Sequence, residues 1–244
     1  MNKKKLLFLA VAMILIATLS FSTLAWFSDA DSVTNNFSIA GGENQNPDEI
    51  FSIDVMEVVD KDGDGDYDMN DATIGYDKDP NYTDTFTYKD ILPGDMLLKR
   101  PQTKNTGSYE QWVRMKVTFD NANYWVALMQ KYGYTDMLDM LYMQDKTTKL
   151  IDANNWIYAS EETYVENDQV TYVFYYKEKL QPNTTAVFFG NVKIPTQFTQ
   201  QDMAPFTNGD FQMVVTGEAI QVKNLKADNA KDAFAIVEAD QPIG

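Results

Sequence analysis

Runs in which apolar and polar residues alternate recur along this chain, and turn-forming residues separate them. Val113, Met115, Val117 and Phe119 alternate with Arg114, Lys116 and Thr118. A period of two puts the apolar side chains on one face of an extended segment, so this run predicts a one-sided β-strand. Val170, Tyr172, Phe174 and Tyr176 repeat the pattern, as do Phe51, Ile53 and Val55. Further strands are expected at 85–89, 185–194 and 211–222, with Pro182, Pro195 and Pro205 as breakers. Leu92, Pro93, Gly94 and Asp95 read as a turn, Pro preset for its first corner and Gly for its second. The period changes once, between Asn121 and Gln144. There Tyr124, Trp125, Leu128, Met129 and Tyr132 share a helical face, Gly133 interrupts, and Thr135 or Asp136 is placed to cap a second helix burying Met137, Leu138 and Leu141. The pattern predicts a mostly β protein, an antiparallel sandwich with a helical excursion at 121–144.

The N-terminus is of a different kind. Lys3, Lys4 and Lys5 precede an apolar run from Leu6 to Ala17, and Thr23, Leu24 and Ala25 lead to the bulky Trp26. This is the layout of a secretory signal peptide, residues 1–25, cut after the small Ala25. An uncleaved anchor is the alternative, since residues 6–25 are long enough to span a bilayer. Thr18, Ser20, Ser22 and Thr23 in its second half favour cleavage. The following segment, 26–42, carries strand alternation at Val33, Asn35, Phe37 and Ile39 and ends in Gly41-Gly42, a flexible link. The sandwich domain is expected over 43–226. The polar tail, 227–244, has a small apolar patch at Phe234, Ile236 and Val237 and reads as a short helix or as disordered.

Composition narrows the chemistry. Cleavage leaves 219 residues with 17 basic and 36 acidic side chains, a net charge of −19. Nucleic acid is thereby excluded as a partner, because phosphate binding needs concentrated Lys and Arg. Such a charge suits divalent cations or basic surfaces, or simply keeps an extracellular protein in solution. With 44% hydrophobic and 13% aromatic residues the chain can bury a sizeable core. Cysteine and histidine are both absent. Disulfides, thiol catalysis, Ser-His and Cys-His pairs and the usual zinc ligands are therefore ruled out. No phosphate-cradling glycine loop is present either, so the chain reads as a non-enzyme. Paired carboxylates and a Ser-Lys pair are neither supported nor eliminated by the sequence. Trp125, Trp156 and the tyrosines suit core positions better than a sugar-binding face.

One local motif carries chemistry. Residues 60–71 match the calcium-loop template, with Asp71 in place of the final Glu. Asp60, Asp62 and Asp64 would each offer an oxygen, Asp66 its carbonyl, Asp68 a direct or water-mediated contact, and Asp71 a shorter closing arm. Crowding these carboxylates together is repulsive without a cation, so Ca2+ is the expected cofactor; a solvated acidic loop is the competing reading. The residues before Asp60 read as a strand, so the helix that enters an EF-hand is missing and a static clip is expected.

Trp26, Phe27, Ser28 and Asp29, followed by Asp31, Ser32, Thr34, Asn35, Asn36, Phe37 and Ile39, resemble the export segment of the TasA/camelysin family. Similar stretches are Ile91 to Asp95 with Leu97 and Lys99, then Asn105 to Ser108 and Val113 to Val117, and later Val214 to Val222. Residues 60–84 lie outside that pattern and read as an insertion. The resemblance implies a jelly-roll sandwich, export through a SipW-type signal peptidase, and a structural role in biofilm matrix fibres of Gram-positive bacteria. It implies as partners other copies of the chain and other matrix proteins, with no membrane contact after cleavage. Segment 26–40 is the expected donor strand that completes a neighbouring sandwich. A calcium-dependent surface adhesion module is the alternative function. A camelysin-like secreted peptidase is the third, for which the sequence supplies no zinc site.

Overall fold

The structure, a computed structural model, describes residues 28–32, 51–59, 72–74, 91–204, 212–223 and 225–239. The strand expected at 85–89 lies outside them. Two antiparallel sheets face one another. The first contains β1 (Ser28–Ser32), β5 (Gln111–Phe119), β7 (Trp156–Tyr158), β8 (Tyr164–Glu166), β9 (Gln169–Tyr176) and β12 (Met213–Gln221). Its order is β1-β12-β5-β9, with β7 and β8 side by side along the outer edge of β9. The second contains β2 (Ile53–Val59), β3 (Ala72–Ile74), β4 (Met96–Asn105), β6 (Leu141–Tyr142), β10 (Thr185–Val187) and β11 (Asn191–Lys193). Its order is β3-β2-β4-β11-β6, with β10 also on β4. The expected mostly β antiparallel sandwich is what the chain forms.

The turn at Leu92–Asp95 forms as its residues dictate. Gly94 sits at φ +95°, which its lack of a Cβ permits, and the Asp95 N–H donates back to the Leu92 carbonyl at 3.1 Å. Between the sheets lie Ile53 and Val55 of β2, Val113, Met115, Val117 and Phe119 of β5, and Tyr172 and Phe174 of β9. The alternation of β5 therefore points its apolar set inward as the sequence requires. Phe174 meets Phe188 edge-on at 5.2 Å between ring centres, and Trp156 lies 5.0 Å from Phe188. These rings join the two sheets at the β7–β9 side. Trp125 is fully buried and Trp156 nearly so, the latter donating its indole N–H to the Val187 carbonyl at 2.8 Å. Both are core.

Three expectations need correction, and another is narrowed to one of its alternatives. First, β5 is not one-sided. Helix α2 (Ala230–Ala239) lies over its outer face and buries Trp112 with Val173, Tyr175 and Ile220 beneath Ala230, Ala233 and Phe234. Second, of the two readings of the tail the short helix is what forms, through residue 239, because Phe234 and the alanines give it an apolar face. Third, the helical excursion is shorter than 121–144. Helix α1 (Ala122–Lys131) buries Trp125, Leu128 and Met129 but leaves Tyr124 40% exposed. Gly133, at φ +80°, ends it: its N–H bonds the Gln130 carbonyl, and that of Tyr134 bonds Met129. Asp136 does cap the next segment, accepting from the Leu138 N–H, but that segment is one 3-10 turn, Met137–Met140, after which Leu141 enters β6. Fourth, 185–194 is two strands. Pro101, in the middle of β4, has no N–H to donate, and opposite it the partner breaks into β10 and β11. The irregular step lets the consecutive Phe188 and Phe189 both turn inward.

At Gly217 of β12 the packing leaves no room for a side chain. A Cβ there would lie 2.5 Å from Val55 Cγ2 and 3.0 Å from Met115 Sδ. Gly217→Ala should cost about 1–3 kcal/mol through overpacking. Val55→Ala in the same chain should return part of it, a coupling that urea denaturation of the two single variants and the double variant would measure.

Candidate self-association edge

Strand β1 is the outermost strand of the first sheet. It pairs antiparallel with β12 over its whole length, Ser28 opposite Ile220 and Ser32 opposite Thr216. Among the described residues its ladder has one neighbour, so its other row of N–H and C=O groups faces away from the sheet. Of the residues 33–52 that connect it to β2, 33–50 lie outside the described residues, as do 26 and 27 of the expected donor segment.

The strand that carries β1 is held on three sides. Along its other edge β12 pairs with β5 from Met213–Phe119 to Gln221–Gln111. Its inner face is seated by Gly217 beneath Val55, with Val215 and Ala219 in the core. On the outer face Glu218 accepts from Arg114 Nε at 2.5 Å and from Lys116 Nζ at 2.6 Å. Arg114 also reaches Glu238 of α2 at 2.7 Å, and its guanidinium lies 4.2 Å from the centre of the Phe234 ring. Burial opposes the charge on Arg114, but Glu218, Tyr175 and Glu238 outweigh it and bind its proton more tightly than usual. Tyr175 in turn donates to Glu162 at 2.6 Å.

The opposite edge of the sheet is built differently. Here β7 and β8 are three residues each. Ile157, Tyr164 and Val165 are exposed, and Glu161, Glu166 and Asp168 stand in the same stretch. Short, interrupted, acid-flanked strands are poor templates for another chain. At the β8–β9 turn, Asn167 and Asp168 both have positive φ, and Asp168 accepts from the Ala122 and Asn123 N–H groups, covering the start of α1.

Of the expected calcium ligands, Asp60, Asp62, Asp64, Asp66, Asp68 and Asp71 all lie outside the described residues. The structure defines what brackets them. Val59 and Ala72 are register partners at the end of the β2–β3 pair, so the twelve positions 60–71 close a β-hairpin. Directly paired antiparallel residues have Cα atoms about 4.5–5.5 Å apart, so the ends of the loop are pinned together. The segment entering it is a strand, as its sequence predicts. The residues sequence reading missed are Gly217, Arg114 and Glu238. Alternation alone hides them, because Arg114 takes an ordinary polar position in β5 and Gly217 has no side chain to place on either face.

Comparison of the chain with protein-family models, with curated proteins and with solved structures finds no match in any of the three.

Burial pushes the hydroxyls of Tyr172 and Tyr175 well above the ordinary tyrosine range; beside Tyr175, Glu162 adds to the rise and Arg114 opposes it. From about pH 10 the unfolded chain releases tyrosine protons that the folded chain keeps, so stability should fall as pH rises. Urea midpoints at neutral pH and at about pH 10.5 should show that loss, and Tyr172→Phe with Tyr175→Phe should flatten it.

Proposed function

We propose that this chain is a secreted structural protein that assembles head to tail into extracellular fibres, each molecule passing its N-terminal strand to the next. The observation that carries the reading is β1 itself, an edge strand held in the described fold by pairing with β12. An identical β12 on a neighbour offers the same ladder, so the exchange leaves the count of backbone hydrogen bonds unchanged. The contact is heterologous and does not close, which gives a filament. Reach is sufficient. The 20 residues from 33 to 52 span up to about 66 Å when extended, against a radius of gyration of about 16 Å for a domain of this size. The asymmetry of the sheet supports one site of exchange, since the β7–β8 edge is interrupted between two three-residue strands whereas β12 is a continuous nine-residue strand.

The likeness of residues 26–39, 91–117 and 214–222 to the TasA/camelysin family supports the same role. With it go the jelly-roll order of strands, processing by a SipW-type peptidase and a place in the matrix. Deleting residues 26–40 should abolish polymerisation in electron micrographs while leaving a cooperative thermal transition. Normal fibres from the deleted protein would refute the donor role.

Ca2+ belongs to the proposal as a clip on the β2–β3 hairpin. The pinned ends of 60–71 favour it, because a loop whose ends are already joined loses less chain entropy on closing around an ion. Chelation should lower the thermal midpoint of the wild type, and Asp62→Asn with Asp64→Asn should remove that response. A monomer at every calcium concentration by size-exclusion chromatography would instead favour a calcium-dependent adhesion module.

A further inference from the structure

We infer that Ser52 is the fixed end of the N-terminal arm, and that the polar node around it is the point through which one subunit pulls on the next. This rests on the strand-exchange reading above and adds where the moving part stops.

Ser52 lies just before β2 and is gripped from three directions. Its carbonyl oxygen accepts from Gln111 Nε2 at 2.8 Å and from the Gly107 N–H at 3.1 Å. Its Oγ lies 2.7 Å from Thr106 Oγ1. The turn that supplies these groups is itself anchored. Asn105, fully buried, donates from Nδ2 to the Tyr109 and Leu180 carbonyls at 2.7 and 2.8 Å, and its Oδ1 accepts from Gly107 at 2.9 Å. Gln111, also fully buried, exchanges both backbone hydrogen bonds with Leu180, at 3.0 and 2.8 Å. The next residue, Ile53, is buried and pairs with Asn105 in the β2–β4 ladder.

The contrast with β1 is physical. Pulling β1 away frees an edge ladder that the neighbour's β12 can remake. Pulling Ser52 away would take the acceptor from the buried Gln111 Nε2, break the contact with Thr106 Oγ1 and uncover Ile53, while Ile53 stays covalently committed to β2. A break travelling down the arm from β1 therefore stops at Ser52. In a filament the force leaving a neighbour's β12 passes along the chain before Phe51, which packs against the core, and enters the second sheet at this node. The stretch Asn105 to Ser108, which the strand pattern does not explain, thereby acquires a role as a positioning element.

The chain has no cysteine, so introduced thiols pair only with one another. Ser52→Cys with Thr106→Cys, where the side-chain oxygens already touch, should oxidise readily. The oxidised mature protein should polymerise as fast and as far as the reduced one. If that lock stops polymerisation, the node must open during assembly and the inference is overturned. Ser32→Cys with Thr216→Cys, register partners in β1 and β12, should block fibres until reductant is added. Fibres from that locked protein would sink the strand-exchange reading and leave the anchor standing. Amide exchange on the monomer tests the anchor without fibres. Gln111→Ala, and the milder Thr106→Val, should speed exchange at Gly107 on the order of tenfold while the β5–β12 amides are unchanged. Equal rates in wild type and both variants would overturn the node.

Discussion

The fold depends on the ladder between β5 and β12. Nine residue pairs join the two strands, from Met213–Phe119 to Gln221–Gln111. Each face of that ribbon meets a different demand. Inward, the chain must bring the second sheet close, and Gly217 allows it by leaving room for Val55. Outward, Arg114 and Glu218 meet beneath α2, where Phe234 covers the guanidinium. A charge so placed is tolerable only because carboxylates and a tyrosine hydroxyl satisfy it. The remaining edge of β12 is what β1 occupies.

At the far side of the sandwich, aromatic rings replace charge as the joining device. Trp156, Phe174 and Phe188 meet at ring separations near 5 Å. Their contact depends on the irregular stretch between β10 and β11, which Pro101 makes necessary. The sandwich is thus closed by rings on the β7–β9 side and seated by a glycine notch beside β1. The β1 side is where the proposed exchange takes place. In that assembly β12, nine residues long, would keep a full partner strand, while β7 and β8 offer only three residues each.

The proposed arm and its node divide labour in the same physical way. Edge pairing is replaceable because any identical neighbour presents the same backbone groups. Buried side-chain hydrogen bonds such as those of Asn105 and Gln111 are costly to open, because their groups find no water when stranded.

Much of this was legible in the sequence. Alternation at Val113 to Phe119 and Val170 to Tyr176 set the strands and their inward faces, since a period of two has one structural meaning. Gly94 and Gly133 set a turn and a helix end, since positive φ suits a residue without a Cβ. The calcium-loop pattern at 60–71 is visible in the sequence, and the pairing of Val59 with Ala72 brackets it. What only the tertiary structure decided were meetings between distant residues. Phe234 and Glu238 find Arg114, Val55 finds Gly217, and Gln111 finds Ser52. None of these leaves a local trace, because periodicity records which way a side chain points and not what comes to cover it.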